Sequence, residues 1–347
     1  MDGKKTLFLS DLEVDRGRQQ SAVDEVVRIH EVSEAVKKEN GDALPAEPSA
    51  RLALIIRHIA RDRGITGFEV PSSFGVALAD ALRGHGLGLR WRPAPFVPER
   101  ARKTPDEVEK IRGAIRHTEA AMTAAIDRIR SADIRDGMLV EGNEPLTSEM
   151  VKSTINLLLL DRNCYAYEAI VAGGEQGVDP HERGHGPLPA HTPIILDIFP
   201  RDNATRYHGD MTRTVVKGRA TDEAKRMYAA VAEAKAAGED ALKAGADGHD
   251  VHEKVKKAFV DAGFETGEKN GRMVGFFHGT GHGLGLDVHE YPRVSTAHDE
   301  MQSGHVVTVE PGLYYPGIGG VRIEDDVLVT DDGCENLCTL PSFFELE

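Results

Sequence analysis

Apolar positions recur along this chain with two periods, near 3.6 and near 2, and their succession predicts the elements. Thr6 to Ser10 reads as a short strand. Ser21 to Lys38 reads as a helix, with Val23, Val26, Val27, Ile29 and Val32 near helical spacing, and Arg51 to Arg63 as a second, carrying Leu52, Leu54, Ile55, Ile56 and Ile59. Ile65 to Val70 and Leu87 to Trp91 alternate or run apolar as strands do, with a helix from Ser73 to Arg83 between them. Together these predict a small α/β unit. Pro93, Pro95 and Pro98 then break regular structure and mark a linker.

Thr104-Pro105-Asp106-Glu107 is a helix start, with a capping hydroxyl, proline at the first helical position and acids in the first turn. The amphipathic, alanine-rich pattern that follows extends to about Arg130, and a further helix is expected over Thr147 to Leu160. Strands are expected at Ala169 to Ala172, Pro193 to Phe199 and Thr212 to Lys217, then helices at Thr221 to Lys243 and His249 to Ala262, stopped by Gly245 and Gly263. Val306 to Val309, Gly312 to Tyr315 and Gly320 to Val329 make the C-terminal stretch strand-rich. Low-complexity segments and short-period repeats are absent from the sequence.

A chain of 347 residues suffices for one large domain or two unequal ones. Its formal net charge of -15 argues against a nucleic-acid partner, which requires clustered cations. With no run of about 18 apolar residues, no membrane partner is expected. Met1 to Thr6 lead into only Leu7-Phe8-Leu9, too short for a secretory apolar region. Cys164, Cys334 and Cys338 are odd in number and widely split, which predicts reduced thiols and a cytoplasmic location. Cys334 and Cys338 lack a second pair, so core or edge thiols are expected rather than a zinc site.

Candidate chemistry concentrates late in the chain. The run from His278 to Glu290 carries His278, His282 and His289 among glycines that let the backbone approach a ligand closely, although such a run could also be an inert loop. Asp197 closes the apolar run Ile194-Ile195-Leu196, and Asp210 precedes the strand at Thr212; a hairpin across Pro200 to His208 would let the two face one another. Taken singly, Asp197 could just end a strand and Asp210 could pair with Arg213. Glu310 follows Val306-Val307-Thr308-Val309, and Glu324 interrupts another apolar strand. Four acids in or beside apolar strands need positive charge, and only Arg322 and Arg213 lie nearby in sequence. A pair of divalent cations resolves the deficit, and an oxygen-rich set with one imidazole favours manganese-like ions.

These motifs stand in an order that resembles the pita-bread metallopeptidases, specifically their proline-specific branch of prolidase and aminopeptidase P. The matching pieces are Asp197, Gly209 to Thr214, His278 to Gly283, Asp287 to Glu290, Glu310 to Tyr314 and Val321 to Asp325. The resemblance covers residues 100 to 347 strongly and the remainder loosely. It implies an α+β fold: a pita-bread catalytic domain over 103–347 after a smaller N-terminal α/β domain over 1–102. Family members usually carry a further helix and strand before the piece resembling Lys5 to Glu13, so that domain is expected to be truncated. A homodimer is expected.

Position by position, the resemblance implies two divalent ions, Mn2+ first with Co2+ or Zn2+ as alternatives, ligated by Asp197, Asp210, His282, Glu310 and Glu324. Asp210 and Glu324 would bridge them. His289 matches the family's substrate-contacting histidine, His278 the one that lines the pocket, and His181 the one that helps hold substrate. Arg322 matches the arginine two residues before the last glutamate. The chain departs from the family in a longer stretch between Asp197 and Asp210, in Phe199 where glycine is common, and in lacking an asparagine near His181.

The implied activity is hydrolysis of the bond between an N-terminal residue and proline in small peptides. Hydroxide generated between the cations would attack, His289 would stabilise the oxyanion, and Glu310 would shuttle the proton. A dipeptidase is favoured over an aminopeptidase acting on longer peptides. A non-catalytic binding protein of the same fold would usually lose metal ligands, and a metal-free creatinase-like amidinohydrolase would leave the carboxylates unneutralised.

Overall fold

Leu7 and Phe8 lie beside Val26 and Val27 because β1 (Thr6–Leu9) and β2 (Glu25–Arg28) run parallel. This corrects the helix expected over Ser21 to Lys38, since Val26 and Val27 are β-branched and satisfy their backbone groups against β1. The helix α2 (Ile29–Glu39) begins only afterwards. A parallel pair needs a crossover, here the helix α1 (Val14–Gln20), which the sequence pattern did not signal. Residues 3–166 and 168–347 are described, so Met1 and Asp2 of the N-terminal reading lie outside them in this computed structural model. The chain divides into two compact units, Met1–Phe96 and Val97–Glu347.

The first unit continues with α3 (Pro48–Asp62), β3 (Gly67–Pro71), α4 (Val76–Gly84) and β4 (Gly88–Arg92). Glu47 caps α3, accepting from the N–H groups of Ser49 and Ala50. Strands β3 and β4 are parallel, and Ala53, Ala60, Leu82 and Leu87 form the core beneath them.

The second unit opens with α5 (Pro105–Ser131), where Thr104 and Glu107 form the capping box that satisfies the first free amides. A small meander of β5 (Asp133–Arg135), β6 (Met138–Glu141) and β7 (Glu144–Pro145) leads to α6 (Ser148–Asp161), capped by Thr147, and then β8 (Cys164–Tyr165). Next come β9 (Ile170–Gly173), β10 (Ile194–Ile198), β11 (Arg201–Asp202) and β12 (Met211–Lys217), followed by α7 (Asp222–Ala241) and α8 (Gly248–Asp261). The rest is mostly β: β13 (Gly267–Lys269), β14 (Arg272–Val274), β15 (Gly281–Gly283), β16 (Glu290–Val294), β17 (Val306–Val309), β18 (Gly312–Tyr315), β19 (Gly319–Arg322), β20 (Asp325–Val329), β21 (Cys334–Asn336) and β22 (Glu345–Leu346).

Two sheets of this unit matter for function: β22-β12-β10-β9 and β16-β15-β17-β20-β21. Ile194, Leu196 and Ile198 of β10 pack with Met122, Ile126 and Ile155 of α5 and α6. Alternation therefore turns Ile195 and Asp197 to the other face, where Ile195 meets Tyr314. In the second sheet Val307, Val309, Val327 and Val329 are buried together, which turns Thr308 and Asp326 toward the first sheet.

The single strand expected from Gly320 to Val329 is two strands. β19 ends at Arg322 in a hairpin with β18, β20 begins at Asp325 in the five-stranded sheet, and Ile323-Glu324 carry the chain between them. This crossing runs along β12: Glu324 N–H donates to Thr212 O at 3.1 Å, and Thr214 Oγ1 both donates to Arg322 O and accepts from Arg322 N–H. The three cysteines are free thiols, with Cys164 buried and the other two partly so. Among the described residues, no helix is long and apolar enough to cross a membrane.

Candidate metal centre

Strands β10 and β12 pair antiparallel, with Asp197 opposite Thr212 and Ile198 opposite Met211. The aspartates stand where this hairpin opens, and the longer stretch between them is organised by Asp202, whose Oδ1 accepts from Ala204 N–H at 2.7 Å. Asp197 Oδ2 accepts from Arg322 Nη2 at 2.7 Å, and Asp210 donates its backbone N–H to Asp326 Oδ2 at 2.9 Å. The pairing of Asp210 with Arg213 does not form. Arg213 turns instead to Asp325 Oδ1, at 2.7 Å, and to the carbonyl of Glu324.

The second sheet and its flanking turns bring the other groups. Glu310 leaves β17 on the Thr308 face and donates its N–H to Thr280 O at 2.8 Å. Glu324 Oε2 accepts from Thr212 Oγ1 at 2.7 Å. His282 lies on β15, where Gly281 backs directly onto the Thr308 carbonyl with no room for a Cβ. Its Nε2 is 3.4 Å from Glu310 Oε1 and 3.9 Å from Asp210 Oδ2, and ligand atoms of Asp210, His282 and Glu324 all lie within 4.8 Å of one another.

A cavity of about 520 Å³ opens over this cluster, lined by Asp197, Asp210, Glu310, Glu324, Arg322 and all four histidines singled out in the sequence. His289 is exposed and meets His282 edge-on, with ring centroids 4.3 Å apart. His181 is exposed, and its N–H is tied to Asp179 Oδ1 at 2.9 Å. His278 Nε2 lies 2.9 Å from the Tyr314 hydroxyl, and its Nδ1 is 2.8 Å from Gly279 O. Phe199, Phe277, Val288 and Ile170 supply apolar wall. Phe199, where glycine was the commoner expectation, thus adds an aromatic face to the rim.

The model of metallopeptidase family M24 matches residues 109–331. The chain belongs to metallopeptidase family M24. Its relatives include a Xaa-Pro dipeptidase of Pyrococcus furiosus, 31% identical over 247 residues that make up 68% of this chain and 62% of that protein. An uncharacterized peptidase of Staphylococcus aureus is 29% identical over 343 residues, 97% of this chain and 85% of that one. Among solved structures, a prolidase from Pyrococcus furiosus is similar with TM-score 0.77 and 23% identity, covering 98% of this chain and 89% of its own. The X-Pro aminopeptidase from Thermotoga maritima gives TM-score 0.76 and 23% identity over 99% and 88%. The fold of this M24 metallopeptidase is therefore the pita-bread α+β fold.

The electrostatics of the M24 site fit cations. Burial, then the neighbouring Asp197, Asp326 and Glu310 carboxylates, pushes the Asp210 carboxyl far above its ordinary range, against Arg322. Burial also pushes Glu310 up to about 8, with Arg322 opposing and Asp197 adding to the rise. Glu324 is raised by burial and by Asp210, Glu310 and Asp197. Asp197 Oδ1 and Asp210 Oδ1 are buried with no hydrogen-bond donor among the described residues. Such a cluster is costly unless a cation neutralises it. His282 is pushed down to about 3, first by burial and then by His289, so it is neutral. Its Nδ1 is 3.1 Å from Gly283 O; donation there leaves the Nε2 lone pair facing the acids, the form a metal takes.

Several contributors to the M24 site were not singled out in the sequence. Asp326 is fully buried, accepts from Asp210 N–H, and is itself raised, first by burial. The Tyr314 hydroxyl sits 2.9 Å from both Arg322 Nη1 and His278 Nε2. Arg322 donates to it, and His278, pushed down to about 3 by burial and then by Arg322, is neutral and accepts its proton. Thr308 Oγ1 accepts from His282 N–H at 3.1 Å. Strand alternation was the available signal for Thr308, which stands two residues before Glu310 and on the face from which Glu310 leaves β17.

Proposed function

We propose that this M24 metallopeptidase is a Xaa-Pro dipeptidase in which Asp197, Asp210, His282, Glu310 and Glu324 would hold two divalent cations. The observation that carries the reading is a group of buried carboxylates with unpaired oxygens at the floor of a cavity whose walls bear the neutral His278 and His282. The hard oxygen donors favour manganese. Cations bound there would supply Lewis acidity, which acidifies water and polarises a peptide carbonyl.

The chain's own residues divide the remaining work. His289 and His181, on exposed turns at the cavity, engage the substrate, and His289 donates to the scissile carbonyl oxygen as charge develops on it. Glu310, which keeps a proton near neutral pH when no cation is present, takes a proton from the attacking water and delivers it to the departing proline nitrogen. Arg322 holds Asp197 in place, and through Tyr314 it fixes the orientation of His278. Phe199, Phe277 and Val288 offer apolar walls suited to a pyrrolidine ring that carries no amide hydrogen in the peptide.

The reading extends to a homodimer in the cytosol, which light scattering and fractionation check. Turnover of Ala-Pro and of Ala-Pro-Pro with added manganese tests the activity. Faster cleavage of Ala-Pro is expected; preference for the tripeptide overturns the dipeptidase assignment in favour of an aminopeptidase, and hydrolysis of neither overturns the proline-specific reading.

A further inference from the structure

Immediately before α5, outside the stretch matched by the family model, Lys103 buries its ammonium in the second unit. Its side chain is 2% exposed, and Nζ lies 3.0 Å from Glu290 Oε2, on a carboxylate side chain itself 8% exposed. Arg100 reaches the other oxygen of Glu290 and, at 3.0 Å, Asp287 Oδ2. That same Glu290 Oε1 accepts the backbone N–H of Asp287 at 3.0 Å, which closes the turn from Asp287 to Glu290 on itself. Lys103 is anchored in turn, since its N–H donates to Gly304 O at 2.7 Å. Gly285 leaves the room: a Cβ there would sit 2.7 Å from Glu290 Oε2 and 3.0 Å from Lys103 Cε.

His289 is the residue inside this turn, directly before Glu290. It is exposed and has an edge-on contact with His282, so little packing fixes it. A burial as costly as that of the Lys103–Glu290 pair is not needed to hold a surface loop closed. It does hold Glu290 rigidly at the first residue of β16, opposite Gly283, where the register against β15 shifts. We propose that Lys103, assisted by Arg100, is a positioning residue for His289, acting through Glu290. The proposal rests on the substrate role of His289 given above. Without Lys103 the Glu290 carboxylate is left buried beside a single half-exposed arginine; the turn then relaxes outward and carries His289 away from the cations' side of the cavity.

The test is a double-mutant cycle on the full-length protein with Lys103→Met, His289→Ala and both together, with Lys103→Arg as the conservative variant. Each is assayed for kcat/KM on Ala-Pro, for bound manganese, and, metal-free, for hydrogen exchange of peptides spanning residues 284–294, β17 and β20. Lys103→Met is expected to lower kcat/KM about 10- to 100-fold, the cost of an ångström-scale misplacement, with manganese content unchanged. Adding it to His289→Ala is expected to cost almost nothing more, and Lys103→Arg to recover most of the loss. Exchange is expected to rise at 284–290 and not in β17 or β20. Additive losses, or unchanged exchange at 284–290, overturn the proposal. Should Lys103→Met fail to fold, Glu290→Gln, which keeps the side chain's shape, is carried through the same exchange measurement. A wild-type protein that cleaves no Xaa-Pro peptide sinks the proposed function, and the exchange result still decides the clamp.

Discussion

Glu324 and Asp325 are consecutive and almost equally buried, at 2% and 7% exposure, yet their surroundings treat them oppositely. Asp325 receives Arg213 and Lys235, each at 2.7 Å, and Asn336 at 2.9 Å. Burial would raise its carboxyl, but Arg213 and Lys235 hold it below the ordinary range. Glu324 faces Asp210, Glu310 and Asp197 and is driven far above that range by burial and their charge. One residue along the chain thus separates an acid whose charge is balanced within the protein from one whose charge is not. The first is part of the scaffold. The second belongs to the cluster that the proposed function assigns to cations.

The comparison breaks most sharply by removing the unbalanced acid. Glu324→Gln is expected to lower turnover at least ~100-fold, more than the loss of a partner that only orients a ligand. It is expected also to raise the thermal stability of the metal-free protein, because a neutral amide removes the cost of keeping Glu324 either protonated or charged among the other acids. Turnover, bound-metal analysis and calorimetry on the apoprotein check the three parts; a less stable apoprotein contradicts the contrast with Asp325.

Asp325→Asn is expected to act in the opposite sense. It leaves Arg213 buried without its carboxylate and Lys235 with Glu239 alone, a loss of about 3–5 kcal/mol, read as a fall of about 2–4 °C in Tm per kcal/mol. Cation binding per folded molecule is expected to be better preserved than in Glu324→Gln, as titration calorimetry would show.

The pH dependence of the metal-free protein sharpens the same contrast. Asp210, Glu310 and Glu324 have folded-state values above their unfolded ones, with Glu310 at about 8. The folded state therefore keeps protons that the unfolded chain has released, and the stability this supplies is lost as pH rises through the folded-state values, about 8 for Glu310. Asp325, being lowered, contributes stability above the ordinary carboxylate range that is lost on acidification. The expected result is a wider gap in Tm between Glu324→Gln and the wild-type apoprotein at pH 8 than at pH 5.5. Manganese is expected to raise the wild-type Tm by several degrees more at pH 8. Equal gaps at both pH values count against a repelling cluster.

Tyr314→Phe has the smallest expected effect. Removing the hydroxyl between Arg322 and His278 leaves both without that partner, and about a 10-fold loss in kcat/KM is expected. Bound metal should not change, because Arg322 keeps its bond to Asp197.

Most of the second unit was legible in the sequence, because its helices are long and capped and its strands are strongly apolar. Thr104 and Glu107 announced α5 by chemistry that needs no tertiary context. The candidate site residues were grouped through the order of their motifs, and the structure brings His282 and the four acids to one cavity. Failures came where local pattern is ambiguous. Val26 and Val27 suit a helix or a strand, and only pairing with β1 decides between them. Glu324 read as mid-strand, whereas it lies where the chain leaves one sheet for another.

By itself, the sequence determined the family, the run of elements in the second unit and the grouping of acids with histidines, since periodicity, caps and ordered motifs are local properties. Which acid is neutralised and which is not was decided only by the tertiary structure. Arg213 stood nearest Asp210 in the chain and turned to Asp325; Lys103 lay far from Glu290 in sequence and became its partner. Charge balance in a buried site depends on distances across sheets and turns, and sequence spacing does not carry those distances.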